Sequence, residues 1–160
     1  MVFRTGMNVV QGLDFLIYSV DMEQVSADER VRLKLVEPTF DTIGEIPASD
    51  GMYMAVGFPS PGKSIDYSEQ RVRIRRELLT GRYDRWDETS QCHRLNLDPV
   101  PQAVTTLQGM SGSPVFSLDG TDLAKGSCRL VGMLVTGSLE AMNVGFIDLN
   151  RILEFLDCLV

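Results

Sequence analysis

Short runs of alternating or continuous apolar residues recur along the chain, and they predict β-strands. In three of them, Val31–Val36, Arg71–Arg75 and the shorter Arg94–Leu97, apolar and polar side chains alternate, which is typical of a half-buried strand. The other runs are more continuously apolar, and they are Phe15–Val20, Met52–Gly57, Val115–Leu118, Arg129–Thr136 and Asn143–Ile147. Turn-forming residues separate the runs, so we expect an antiparallel β-barrel or sandwich.

The C-terminal segment has helical spacing instead. One apolar stripe is formed by Leu149, Ile152, Leu153, Leu156 and Leu159 or Val160. A side chain that caps this helix is available at Asp148 or at Asn150. The turn-rich stretch 44–51 separates two groups of strands, which predicts one domain over 1–50 and a second over 51–160.

Composition narrows the classes of function. The chain has 160 residues, 44% hydrophobic and 23% charged, with a net charge of −7. An acidic chain without a basic block is unsuited to nucleic acid or to an anionic membrane surface. No apolar run is long enough to span a bilayer, and the start is not a signal peptide. We therefore expect a cytoplasmic protein, provided that the given N-terminus is complete.

The residues that serve most often as metal ligands are sparse. Three widely spaced cysteines, Cys92, Cys128 and Cys158, match neither a metal site nor a disulfide framework, and we expect buried or half-buried free thiols. His93 is the single histidine of the chain. A metal site built on several histidines is therefore excluded, and no metal or organic cofactor is expected. The mixed-charge aromatic stretch Tyr83–Glu88 precedes His93 and is interpreted as a surface loop.

The most informative segment is Leu107–Phe116, in which Ser111 stands between Gly109 and Gly112. It is not the elbow of an α/β-hydrolase, because Ser113 replaces the second glycine and a strand follows instead of a helix. Two interpretations remain open. A turn that exposes the Ser111 hydroxyl beside converging backbone N–H groups would form a nucleophile with an oxyanion hole. Alternatively, the segment is an ordinary Gly-Ser loop without chemistry.

Several segments resemble the trypsin-like (chymotrypsin-fold) serine proteases. Gly109-Met-Ser-Gly-Ser-Pro-Val115 is similar to the family's nucleophile signature, and Leu130–Ser138 resembles the strand that pairs with the substrate backbone. Met54–Pro59 resembles the opening strand of the second barrel, and Asn143–Ile147 with the closing helix resembles the family's C-terminus. The resemblance implies an all-β, chymotrypsin-like antiparallel β-barrel fold with a complete second barrel, a partial first barrel and a C-terminal helix.

The same resemblance implies roles for individual residues. Ser111 would be the nucleophile, and the N–H groups of Gly109 and Ser111 would form the oxyanion hole. Asp14 lies in a segment, Gly12–Tyr18, that is similar to the one carrying the family's aspartate. The family's histidine precedes that aspartate, but no histidine precedes Asp14 in this chain. His93 belongs to the second barrel in this interpretation, where the family gives it no catalytic role, so the triad is incomplete.

The resemblance implies a substrate pocket that has no carboxylate at its floor. Thr105 would lie near its floor, with Thr136 and Gly137 on one wall, so a preference for arginine or lysine is not expected. A small or apolar substrate side chain fits better. Met110 replaces the aspartate that binds a freed N-terminus in many members, so activation by N-terminal cleavage is not expected either.

Three hypotheses about function follow. The first is a serine endopeptidase that hydrolyses peptide bonds through Ser111, inactive as this chain alone because the catalytic histidine is missing. The second is a non-catalytic protease homologue that binds a peptide by β-augmentation along the edge Val135–Gly137. The third is a structural fragment without independent function. The expected partner is a peptide or protein substrate, and uncovered first-barrel surface predicts self-association or poor solubility.

Overall fold

A computed structural model of the protein describes residues 3–6, 17–20, 25–28, 43–44, 46, 51–60, 63–66, 71–102, 104–119 and 127–157. The chain divides into two compact units, residues 1–39 and residues 40–160. In the first unit, strand β1 (Phe3–Gly6) pairs antiparallel with β2 (Ile17–Val20). Asp14 and the predicted strand 31–36 lie outside the described residues, and so does Cys158.

The second unit contains a closed six-stranded antiparallel barrel. Its strands are β3 (Met52–Gly57), β6 (Glu77–Asp87), β7 (Cys92–Leu97), β8 (Pro114–Asp119), β9 (Ser127–Ser138) and β10 (Asn143–Asp148). Around the barrel the order is β10, β7, β6, β3, β8, β9. A separate two-stranded hairpin joins β4 (Lys63–Asp66) to β5 (Arg71–Ile74).

The barrel core follows from the two-residue repeat of its strands. In β3, every second side chain is buried, which places Tyr53 and Ala55 inside. Inward side chains of the neighbouring strands fill the rest of the interior, and they include Leu79, Leu95, Val115, Val131, Leu134, Val144 and Phe146. The expectation of a mostly antiparallel β structure with a barrel and one C-terminal helix is confirmed.

The helix α1 (Leu149–Asp157) follows β10 directly. A carboxylate oxygen of Asp148 accepts a hydrogen bond of 3.0 Å from the backbone N–H of Arg151, which satisfies one of the unpaired donors of the first turn. Of the two predicted caps, Asp148 is therefore the one in use. No helix within the described residues is long and apolar enough to cross a membrane.

Two expectations from the sequence are wrong. Residues Tyr83–Asp87 are not a surface loop but the second half of β6, which pairs with β7. The register of this pair shifts between Tyr83 and Arg85, so the apolar and polar positions there do not alternate. Cys92 is fully buried as a free thiol, as expected, but Cys128 is exposed.

Candidate functional site

Two consecutive turns carry Ser111 between β7 and β8. The N–H of Met110 donates to the Leu107 carbonyl at 3.0 Å, and the N–H of Ser113 donates to the Met110 carbonyl at 3.0 Å. In such four-residue turns the N–H groups of the two central residues are not used by the turn itself. Gly109 is central in the first turn and Ser111 in the second, so both N–H groups are left for other acceptors.

Each turn requires a glycine at its third position. Gly109 has φ +87° and Gly112 has φ +85°, values that type II turns need at this position and that side chains with a Cβ disfavour. Gly109 also lacks space, since a Cβ there would lie 2.6 Å from the Ser60 hydroxyl oxygen. The two glycines therefore determine the shape of the loop around Ser111.

Strand β9 anchors the second turn. The N–H of Gly112 donates to the Leu134 carbonyl at 2.8 Å, and the N–H of Leu134 donates to the Ser113 carbonyl at 2.9 Å. These bonds extend the β8–β9 pairing, which otherwise ends with Pro114 opposite Met133. The Ser111 loop is thus fixed to the strand that the sequence predicts to bind peptide.

Val135 forms a bulge at this point of β9. Opposite it on β10, Gly145 pairs with Thr136 and Phe146 pairs with Leu134, so Val135 is the extra residue. The Ser111 hydroxyl donates a long hydrogen bond of 3.4 Å to the Val135 carbonyl. Within the described residues, no strand pairs with the β8-facing side of β9 beyond Leu134, and this side of residues 135–137 is an open edge.

A pocket of about 530 Å³ lies between the Ser111 loop and this edge. Its lining includes Gly109 and Ser111 from the loop, Thr136 and Gly137 from β9, and Thr105 from the segment that follows β7. Thus five of the six site residues proposed from the sequence lie around one cavity. The sixth, Asp14, lies outside the described residues.

The lining of the pocket is uncharged. Apolar side chains come from Leu107, Leu139 and Val144, and neutral polar side chains come from Thr105 and Thr106. Among the described residues that line it there is no carboxylate, no lysine, no arginine and no histidine. The pocket can therefore hold an uncharged side chain, but it offers no counter-ion to a charged one.

His93 is engaged elsewhere in the barrel. Its Nδ1 lies 3.1 Å from the hydroxyl oxygen of Tyr83, and its Nε2 lies 3.5 Å from a carboxylate oxygen of Asp148. The ring also stacks on Phe146 and meets Trp86 edge-on, with centroid distances of 5.2 and 4.8 Å. His93 does not line the pocket and is not positioned to take a proton from Ser111.

One contributor to the site was not recognised in the sequence. The N–H of Ser60 donates a hydrogen bond of 2.7 Å to the Gln108 carbonyl. Val135 was expected in the binding edge, but the bulge at this residue and its contact with the Ser111 hydroxyl were not. Both residues act through the backbone, so no side-chain pattern marks these contacts. The only sequence signal for Ser60 is its place in the turn-forming segment Phe58-Pro-Ser-Pro-Gly62.

Comparison of the chain with protein-family models, with curated proteins and with solved structures returns no match.

Proposed function

We propose that this chain forms the nucleophile-bearing and peptide-binding part of a trypsin-like serine endopeptidase site, built on a chymotrypsin-like second barrel. In this proposal an extended peptide pairs with the open edge of β9 at residues 135–137. One of its side chains enters the uncharged pocket, and its backbone carbonyl faces the N–H groups of Gly109 and Ser111.

The observation that carries the proposal is the position of the Ser111 hydroxyl, 3.4 Å from the Val135 carbonyl at the open edge. A peptide bound along that edge would run directly past the hydroxyl. Gly109 and Ser111, whose N–H groups the two turns do not use, line the same pocket. Nucleophile, donors for a developing negative charge and a binding strand are the three components that acyl transfer needs beside a base.

A base beside Ser111 is the component missing from the described residues. His93 is the only histidine of the sequence, and its ring is held by Tyr83 and Asp148. A serine hydroxyl without a base is a weak nucleophile. We therefore expect this chain alone to bind extended peptides without hydrolysing them. The open edge of β9 equally favours the second hypothesis, a non-catalytic binding module, since β-augmentation requires no base.

Titration of the ¹⁵N-labelled chain with short peptides tests the proposal. Acetylated pentapeptide amides of alanine and valine, ending in Ala, Val, Leu, Met or Phe, are added while the amide signals are followed. We expect shifts at Gly109, Ser111 and residues 135–137. Binding without shifts at these positions, or no binding at all, would contradict the proposal.

A blocked variant and its control sharpen the test. Ser111→Phe places a bulky ring at the mouth of the pocket and should abolish binding. Thr89→Phe adds the same ring at another exposed turn, outside the pocket, and should leave binding unchanged. A fluorophosphonate probe tests the missing base, because it labels only an activated serine. We expect no labelling of the chain alone, and labelling that Ser111→Ala abolishes would show that the chain does supply a base.

A further inference from the structure

We propose that this site recognises the free C-terminal carboxylate of an extended peptide whose last side chain is uncharged. This inference rests on the proposed function, because it needs a peptide that runs along the edge of β9. The peptide must end in a free carboxylate, and Ser60 positions one of the two N–H donors, that of Gly109.

A negatively charged ligand suits the two N–H donors better than a neutral one. Two N–H donors that face one acceptor stabilise an anion more than a neutral carbonyl, because charge-assisted hydrogen bonds are about twice as strong as neutral ones. A protease creates that anion during the reaction, but only when a base activates the serine. No base lies at Ser111 among the described residues, so the described site does not create that anion. The ligand that brings its own negative charge to these donors is a peptide that ends in a carboxylate.

The direction of the Gly109 N–H group follows from the peptide bond between Gln108 and Gly109. The peptide bond between Gln108 and Gly109 is trans, since no cis bond occurs in the described residues. In a trans peptide the C=O and the N–H point in opposite directions. The N–H of Ser60 holds the Gln108 carbonyl at 2.7 Å. The N–H of Gly109 is therefore directed away from Ser60, and because Gly109 lines the pocket, this donor is available to a ligand there.

Ser60 supports this orientation from a second side. Its backbone nitrogen and hydroxyl oxygen lie 3.0 and 2.6 Å from the point where a Cβ of Gly109 would be. The Ser60 backbone is thus packed against the Gly109 backbone. Rotation of the Gln108–Gly109 peptide would break the 2.7 Å bond and turn the donor out of the pocket. Ser60 is accordingly a positioning residue, which acts through Gly109 and does not itself bind the carboxylate.

The lining of the pocket also restricts the charge of the peptide's last side chain. The described lining of the pocket has apolar groups from Leu107, Leu139 and Val144, and it has no charged group. Burial of a charged side chain without a partner is costly, so a C-terminal Lys, Arg, Asp or Glu is disfavoured.

The net charge of −7 repels an anionic peptide at long range. Preference for a carboxylate must therefore come from the short-range donors, and added salt should speed association.

The test compares peptides that differ only at the C-terminus. Each acetylated pentapeptide of the alanine and valine series is prepared as the free acid and as the amide, and its dissociation constant is measured by ¹⁵N titration. We expect the best acid to bind about tenfold more tightly than its amide, or about 1.4 kcal/mol. The Gly109 amide proton should move downfield with the acid and much less with the amide.

Two substitutions at one position separate the donor geometry from the rest of the site. Ser60→Pro removes the backbone N–H that holds the Gln108 carbonyl, whereas Ser60→Ala keeps it and removes only the hydroxyl. We expect Ser60→Pro to bind acids and amides with the same affinity, close to that of the wild type for the amide. Ser60→Ala should retain the tenfold preference. Thermal unfolding verifies that both variants are folded.

The outcomes distinguish this inference from the proposed function. If acids and amides bind the wild type equally well, the carboxylate inference is wrong while peptide binding at the edge stands. If neither binds, both fail. If a folded Ser60→Pro variant keeps the preference, Ser60 does not position the donor. If that variant does not fold, the Gly109 signal of the wild type decides, and its failure to shift with the acid overturns the inference.

Discussion

The imidazole Nε2 of His93 lies 3.5 Å from a carboxylate oxygen of Asp148, the residue that caps helix α1. Its Nδ1 lies 3.1 Å from the Tyr83 hydroxyl oxygen, and in the tautomer with the proton on Nε2 it accepts a hydrogen bond from this hydroxyl. Both ring nitrogens therefore have partners within the barrel wall. The contact joins β7 to the start of the helix, so the single histidine has a structural role.

Substitution of His93 tests this role directly. His93→Asn should lower the free energy of unfolding by about 1–3 kcal/mol, because it breaks contacts to Tyr83 and to Asp148 in a partly buried setting. Peptide affinity should stay the same, since His93 does not line the pocket. Urea denaturation and the peptide titration measure the two quantities. Unchanged stability together with weaker peptide binding would show that His93 belongs to the site.

The β6–β7 turn predicts a specific pH dependence. Hydrogen bonds from Ser90 and from Arg94 lower the pKa of Asp87 from 3.8 to about 2. Because the carboxylate is favoured in the folded state, its stabilising effect is complete above pH 4 and is lost as the pH falls from about 4 to 2. Asp87→Asn should therefore lower the melting temperature at pH 7 and have little effect near pH 2.

A charge-matched substitution serves as the control for that measurement. Glu88→Gln removes the same charge from the neighbouring exposed position and should leave the melting temperature nearly unchanged at either pH. If the two variants lose equal stability at pH 7, net charge accounts for the effect, and the bonds to Asp87 do not.

The strands that the sequence predicted well are short apolar runs that end at turn-forming residues. In β3 the buried positions alternate as the strand geometry requires, and the predicted bounds Met52–Gly57 are those observed. The second half of β6 was missed, because the register shift at Tyr83 and Arg85 interrupts the alternation and mixes charged with aromatic side chains. A local pattern cannot show a bulge that depends on the partner strand.

Some residues of the candidate site were also predictable from the sequence, and others were not. Ser111 and Gly109 were found because a glycine-flanked serine before a strand is a local signal, and Thr105, Thr136 and Gly137 followed from the family resemblance. Ser60 contributes a backbone N–H, which every residue except proline has. Its importance arises only from the fold, which brings it against Gln108. The sequence therefore identified the residues that line the site but not the backbone group that orients Gly109.

Close packing beneath the Ser111 loop predicts a strong effect of a small substitution. A Cβ on Gly57 would lie 2.0 Å from the Ser113 hydroxyl oxygen and 2.7 Å from the Met110 side chain. Gly57→Ala should therefore destabilise the protein by about 1–3 kcal/mol through overpacking. It should also shift the amide signals of the Ser111 loop. Leu78→Ala, at an exposed position on β6, should change neither, and a Gly57→Ala variant as stable as the wild type would contradict the packing described.

The hydroxyl groups of Tyr53 and Tyr83 differ in hydrogen bonding, because only that of Tyr83 has a partner among the described residues. Tyr53 is fully buried, and its hydroxyl has no hydrogen-bond partner among the described residues. Burial raises its pKa well above the ordinary value of 10, so the group stays protonated. A buried hydroxyl without a partner costs free energy, and Tyr53→Phe should therefore be neutral or stabilise the protein by up to about 1 kcal/mol.

Tyr83→Phe is the matched comparison, because it removes the same atom from a hydroxyl that contacts His93. It should destabilise the protein by about 1 kcal/mol. Urea denaturation of both variants at pH 7 gives the two values with their signs. Because the rings of Tyr53 and Tyr83 lie only 6.2 Å apart, the double variant should also be measured. A loss of stability in Tyr53→Phe as large as in Tyr83→Phe would show that the Tyr53 hydroxyl has a partner after all.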